Sequence, residues 1–263
     1  MAGAERVSDR IKISSIIIAR DEESNIRRCI DSQLSIADEI IVLVDSRTQD
    51  GTFQIASSYS IVKCEKVDWM GYAKTKNYAI GKTTNDWVLW IDADEELTPE
   101  LVEELKRFKA VKPDLRAYDV ARRAFFLGKW IKHSGWYPAR VTRLFDKKFA
   151  AFKDKEVHEH LTFEGGLGHL KNDMNHFTDP SIEHYFKKFN LYTTLAAKEL
   201  NEKGKRAGLN DILLRPLFLF FKMYILRLGF LDGMHGIILA AFSSLYVFTK
   251  YVKLWELNRE KSK

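Results

Sequence analysis

The chain has 263 residues, 46% hydrophobic and 30% charged, enough to bury a full core as one large domain or a domain with an appendage. Lys+Arg of 42 against Asp+Glu of 36 leave a net charge of +6, which suits an anionic membrane surface or a phosphate-bearing substrate and falls short of demanding nucleic acid. Cys29 and Cys64 are too few for a disulfide scaffold and lack metal spacing, and residues 1–12 are polar with no apolar leader behind them, so a reducing cytoplasmic location is expected.

In chain order, residues 11–19 read as a buried strand, β-branched and uncharged after Lys12, broken by Arg20-Asp21-Glu22-Glu23. Ile26, Ile30 and Leu34 then fall at helical spacing, and Ile40-Ile41-Val42-Leu43-Val44 forms a second buried strand ending at Asp45. A short helix to about Ser58, a strand over 61–67 and a helix over 71–80 extend the alternation, which argues for a parallel sheet with right-handed crossovers. Trp87-Val88-Leu89-Trp90-Ile91 is the next strand, running straight into Asp92-Ala93-Asp94-Glu95. Thr98-Pro99 caps and opens an amphipathic helix carrying Leu101, Val102, Leu105 and Phe108. From 118 to 177 the pattern shortens into strand candidates of a mixed or antiparallel extension, and Asp179-Pro180 opens a long helix that ends near Gly204.

Every strand of the first half ends in polar or charged residues, so the carboxyl edge of the sheet is the functional edge. Two strand-end carboxylates one residue apart are costly to bury unpaired and should face a cleft and a cation. Mg²⁺ or Mn²⁺ fits, because such ions take oxygen ligands shared between one or two carboxylates and substrate phosphates. Neither GxxxxGK[ST] nor GxGxxG occurs, so phosphate must be neutralised by metal rather than by a glycine-rich loop. The other reading of Asp92 and Asp94 is an acidic turn ahead of a helix N-terminus.

Four ordered segments carry a family resemblance: Ile-Ile-Ile-Ala-Arg-Asp-Glu-Glu-Ser-Asn-Ile from Ile16, Val-Asp-Ser-Arg-Thr-Gln-Asp-Gly-Thr from Val44, Trp-Met-Gly-Tyr-Ala-Lys-Thr-Lys-Asn-Tyr-Ala from Trp69, and Asp-Trp-Val-Leu-Trp-Ile-Asp-Ala-Asp-Glu from Asp86. They resemble the motifs of family 2 inverting glycosyltransferases of the GT-A fold, and the chain from about Ile13 to Glu256 is similar to lipopolysaccharide inner-core glucosyltransferases that extend a heptose. The resemblance implies an α/β, Rossmann-like mixed sheet with helices on both faces, plus a C-terminal amphipathic helical extension. It implies a UDP-sugar donor, with Asp45 at the uridine, Glu22 lining the nucleotide pocket, Lys74 or Asn77 beside base or diphosphate, Asp92 near ribose or sugar, and Asp94 on the metal. Asp21 stands where the family usually has Asn, and Arg47 where a small residue is common. An inverting transfer also needs a general base on the acceptor wall; the resemblance points to Glu159, with Asp154 in reserve. Arg140 or Arg143 could steady a phosphate, and Trp136-Tyr137 is the better aromatic platform for an acceptor.

The expected organisation is a catalytic domain over 1–208, with a nucleotide-sugar half over 11–110 and an acceptor half over 111–208, followed by a hydrophobic, basic helical extension over 209–263. Residues 236–249 carry no charge for 14 positions, which at about 1.5 Å per residue falls short of a ~30 Å hydrocarbon core. Lying in the membrane interface suits this tail, with Arg215, Lys222, Arg227, Lys250 and Lys253 reaching anionic head groups; a helical hairpin packed on the catalytic domain or a dimer partner is the alternative. The expected function is transfer of a hexose, glucose from UDP-glucose, to a lipid-linked saccharide by an enzyme bound peripherally to the cytoplasmic face of the inner membrane. The rivals are a sugar-1-phosphate nucleotidyltransferase, which would want a glycine-rich loop where Arg20-Asp21-Glu22-Glu23 stands, and a non-catalytic basic membrane- or RNA-binding module, against which the dispersed basic residues argue.

Overall fold

The computed structural model describes residues 10–153 and 160–260, in two compact units. The first comprises the chain up to Arg122 together with Arg140–His176, and the second comprises Arg123–Ala139 and the chain from Phe177 onward.

The first unit is built on β1 (Ile13–Ala19), β2 (Glu39–Asp45), β3 (Val62–Val67) and β4 (Trp87–Trp90), linked by α1 (Ile26–Asp31), α2 (Thr52–Ser57) and α3 (Tyr72–Lys82). β1 pairs in parallel with β2 and with β4, and β2 in parallel with β3. The chain therefore moves outward from β1 to β3 and returns to the other side of β1, a reversal that leaves a crevice at the carboxyl ends of β1 and β4. β5 (Glu95–Leu97), α4 (Pro99–Phe108), β6 (Ala117–Phe126), β8 (Ala139–Asp146), the antiparallel pair β9 (Ala150–Lys153) and β10 (His160–Phe163), β11 (Leu167–His169) and β12 (Met174–Asp179) follow, with β7 (Lys129–Trp130) leaving β6 as a hairpin in the second unit. The strand order is β3-β2-β1-β4-β8-β6-β12-β5. β8 runs antiparallel to β4 with Leu89 opposite Leu144, and β12 antiparallel to β5 with His176 opposite Glu95.

Alternation on β2 explains why helices cover both faces. Ile40, Val42 and Val44 join one core with Ile26, Cys29 and Ile30 of α1 and Leu101 and Leu105 of α4. Ile41 and Leu43 join another with Ala73 and Ala79 of α3, Val88 and Phe145. All seven residues of β2 are buried, as expected of a central parallel strand. The cap of α4 follows its sequence signature: the Thr98 hydroxyl accepts from the Leu101 amide at 3.3 Å, donates to the Asp173 carbonyl at 2.7 Å, and Pro99 opens the helix.

The second unit is helical. α5 (Ile182–Glu202), α6 (Leu209–Phe221), a π-helical turn Lys222–Leu226, a 3₁₀ turn Gly229–Asp232 and α7 (Met234–Glu260) surround a small core of Phe126, Ile131, Met223, Leu239 and Ala240. Of the 25 exposed large apolar side chains among the described residues, 21 lie at or beyond Ile182, so this unit presents apolar surface that the first does not.

Candidate active site

The site forms where β4 runs out. The Asp92 amide donates to the Glu95 carboxylate at 2.9 Å and the Glu95 amide to the Asp92 carbonyl at 2.9 Å, closing a tight turn that presents Asp92, Asp94 and Glu95 together. Arg143 comes across from β8: one guanidinium nitrogen donates to Asp92 Oδ2 at 2.5 Å and to Glu95 Oε1 at 2.6 Å. Arg143 is 2% exposed and Glu95 0%, so this is a buried ion pair. Burial pushes the Glu95 carboxyl up, with Asp92 adding to it against the pull of Arg143. Burial raises Asp92 as well, but Arg143, then Lys76 and His176, bring it below the ordinary carboxylate value.

Asp94 faces a histidine. His176, on β12, puts Nε2 3.4 Å from Asp94 Oδ2, both side chains 18% exposed. A partly buried carboxylate and imidazole at that separation fit a divalent cation as two ligands, with remaining positions open to donor oxygens. Among the described residues no group of three or more His, Cys, Asp or Glu side chains is gathered for a metal, so the phosphates of a substrate would have to complete the shell. Sequence reasoning missed His176 because it lies 82 residues beyond Asp94 in an unremarkable strand; only the β5–β12 pairing brings it in.

The cationic wall comes from α3 and β8. Lys76 is 5% exposed, with its ammonium 3.6 Å from the Trp90 ring centre, and the Arg143 guanidinium lies 4.1 Å from the same ring. Lys74 is exposed, and Asn77 accepts from the Phe152 amide at 3.1 Å and donates to its carbonyl at 2.7 Å, tying α3 to β9 (Ala150–Lys153). Asp45, at the end of β2, is 2% exposed and taken by Arg47, whose Nε and Nη2 donate at 2.9 and 2.6 Å and whose amide donates at 2.9 Å. Those hydrogen bonds, led by the Arg47 side chain, hold the Asp45 carboxyl at about 2.

The other acidic residues after β1 and β2 mostly brace the loops. Asp21 accepts the Gln49 amide at 2.9 Å, Glu23 accepts the Gly51 amide at 2.9 Å, and Asp50 accepts the Glu23 amide at 2.9 Å. Glu22 accepts from Asn25 at 2.8 Å while its amide donates to Thr52. Burial pushes the Cys29 thiol well up, with Glu95, Asp94, Asp92 and Glu22 adding to the effect. The crevice thus collects Asp92 and Asp94, with Arg143, Lys76 and His176 as counter-charge. Glu159 and Asp154 lie outside the described residues.

The model of the family described as "Glycosyl transferase family 2" matches residues 14–163. A glycosyltransferase of Rickettsia typhi is 32% identical over 258 residues, covering 94% of this chain and 88% of its own. The lipopolysaccharide core biosynthesis glycosyltransferase LpsC of Rhizobium meliloti is 28% identical, covering 97% and 96%. Among solved structures, the mannosyltransferase PcManGT from Pyrobaculum calidifontis, in complex with GDP-Man and Mn²⁺, superposes with a TM-score of 0.52 at 14% identity over 94% of this chain and 88% of that one, a likeness of fold.

Proposed function

Because this chain belongs to glycosyl transferase family 2 and is a glycosyltransferase of GT-A-like fold, we propose that it performs a metal-dependent, inverting transfer of a hexose, glucose from UDP-glucose, to a lipid-linked saccharide of the lipopolysaccharide core type. The observation that carries this is the meeting of Asp94 with His176 at 3.4 Å, beside an Asp92 fixed by Arg143, at the carboxyl edge of a reversing parallel sheet.

Asp94 and His176 would hold Mg²⁺ or Mn²⁺. The bound ion would neutralise the donor diphosphate and stabilise the departing UDP. Asp92 cannot wander, since Arg143 grips Oδ2, and its other oxygen is left to accept from a hydroxyl of the donor. Lys76 adds a second positive charge where phosphate charge collects. Asp45 and Glu22 face the nucleoside; Asp45 becomes available to a base N–H when Arg47 swings outward, an easy motion for a side chain 53% exposed. The acceptor hydroxyl attacks the anomeric carbon from the face opposite the diphosphate and yields its proton to a base on the acceptor wall. Glu159 is our assignment for that base.

A lipid-linked acceptor agrees with the second unit. α7 is long and apolar enough to cross a membrane by length and composition, with 17% of its most apolar window buried. Yet its Lys253 donates to Asn190, Thr193 and Thr194 of α5, a helix that also carries Lys187, Lys188 and Lys198. A helix sheathed along one side by so charged a neighbour fits the interface, peripheral on the cytoplasmic face, better than the hydrocarbon core.

A thermal-shift panel tests the donor site: UDP, UDP-glucose, UDP-galactose and GDP-mannose, each with and without Mn²⁺ or Mg²⁺, on the wild type, Asp94→Ala and His176→Ala. A ligand at 100 times its Kd stabilises by about 2.7 kcal/mol, roughly 5–10 °C for a chain of this size. UDP ligands should shift the wild type only with metal, and neither variant should respond. A metal-independent shift retained by both variants would exclude the assignment.

A further inference from the structure

The second unit contains a cavity of about 480 Å³ that the donor site does not use, a volume in the range of small-molecule sites. Trp136, Tyr185 and Tyr246 line it, Lys222 and Arg227 stand at it, and Ser134 contributes to its floor. Two features point to a ligand. The Lys222 and Arg227 side chains make no ion pair with an acidic group among the described residues. Aromatic faces and cations around one cavity are the complement of a polyhydroxylated ring bearing an anion.

The cavity is built in advance. Buried Asp232 accepts the Lys132 amide at 3.2 Å and the His133 amide at 2.9 Å and lies 3.1 Å from His133 Nδ1, while Lys129 donates to its carbonyl at 2.9 Å. The chain then turns through left-handed Ser134 (φ 60°) and Gly135 (φ 79°), and the Ser134 amide donates to the Arg227 carbonyl at 2.9 Å. Gly229 closes against this turn: a Cβ there would lie 2.6 Å from Ser134 Oγ and 2.8 Å from the Met223 carbonyl oxygen. The same stretch exposes Ile225, Leu226, Leu228, Phe230 and Leu231, so the two cations sit in an apolar tip suited to a lipid surface.

We propose that this cavity binds a phosphate joined to a polyhydroxylated ring, the phosphate on Lys222 and Arg227 and the ring against Trp136 and Tyr185. The proposal rests on the acceptor reading above for its relevance to transfer, but its test is a binding measurement that stands apart from the donor site. Full-length protein in mild detergent is titrated with glucose 6-phosphate, inorganic phosphate and glucose by calorimetry. Flotation with phosphatidylcholine vesicles, with and without phosphatidylinositol, separates a lipid-borne ligand from a free one. Lys222→Gln with Arg227→Gln is compared with Lys198→Gln with Arg259→Gln, which removes the same charge elsewhere in the unit; the metal-dependent UDP shift reports folding and the donor site in each.

Expected is at least a tenfold loss of affinity for glucose 6-phosphate, or of phosphatidylinositol-dependent flotation, in the cavity variant only. Trp136→Phe should remove the accompanying change in tryptophan emission. Response of vesicles alone would identify the lipid-borne ligand, and response of both would show that the phosphosugar suffices. Equal losses in the two charge variants, or no binding of either probe by the wild type, would overturn the proposal. An intact UDP shift in that case would leave the donor reading standing.

Discussion

Replacing Arg143 with methionine tests the arrangement that holds the site together. The substitution keeps most of the side-chain volume but removes the cation shared by Asp92 and Glu95. Breaking a buried pair by deleting one partner costs about 3–5 kcal/mol, because the survivor is left charged in a poor solvent. Here the survivors differ. The Asp92 side chain is 40% exposed and can turn to water, whereas Glu95 is 0% exposed and keeps the Asp92 amide and, as its one other ion pair among the described residues, Arg122 3.6 Å away. The penalty therefore concentrates on Glu95 and should fall at the lower end, about 3 kcal/mol. For a chain of this size that is a drop in Tm of roughly 6–12 °C. Urea denaturation followed by circular dichroism measures it, and Glu95→Gln completes a double-mutant cycle. With the charge on residue 95 gone, the double variant should recover about half the loss, giving a coupling of about 1.5 kcal/mol. A fall in Tm of under about 2 °C, or strictly additive losses in the double variant, would refute the claim that Arg143 is there to neutralise Glu95. The KM for donor should rise in Arg143→Met as well, since Asp92 is then free to turn.

Other outcomes follow from single contacts. Glu39 accepts from Ser14 at 2.6 Å, from the Thr84 amide and hydroxyl at 2.5 and 2.8 Å, and from Lys63 at 2.9 Å. Burial works against its ionisation, but these hydrogen bonds hold its carboxyl at about 2 rather than 4.5. A depressed folded-state value means stability that is complete above pH 4.5 and lost as pH falls towards 2. Glu39→Gln should thus cost about 2 kcal/mol at pH 7, with the gap to wild type closing over that acid window in denaturation curves. Gly236→Ala should destabilise by about 1–3 kcal/mol, because its Cβ would stand 1.8 Å from the Gly229 carbonyl oxygen; an unchanged Tm would mean the α7 start is looser than this packing implies. His176→Ala should leave Tm without ligand within a degree or two of wild type while donor turnover falls by at least tenfold; full activity across a metal titration would remove His176 from the site.

Much of the first unit was legible in the chain itself. Uncharged, mostly β-branched runs of strand length such as Ile40–Val44 signal strands covered on both faces, and Thr98-Pro99 carries its helix start in its own chemistry. Strand-end carboxylates announced the functional edge, because charge tolerated beside an apolar strand needs a cleft to face. What the pattern could not separate was which acids serve the site and which serve the loops. Asp21, Glu23 and Asp50 look no different in sequence from Asp92, yet they accept backbone amides of neighbouring loops.

The sequence by itself determined the alternation of strands and helices, the carboxyl edge and the Asp92-Ala93-Asp94 turn, because these depend on periodicities and spacings within a few residues. Only the tertiary structure decided what faces them. Arg143 and His176 reach the turn through antiparallel pairings of β8 with β4 and β12 with β5, and residues 123–139, which carry the end of β6, fall in one compact unit with the C-terminal helices. Such partners lie 48 to 103 residues away along the chain, and no local preference encodes a meeting that only the packing of distant elements enforces.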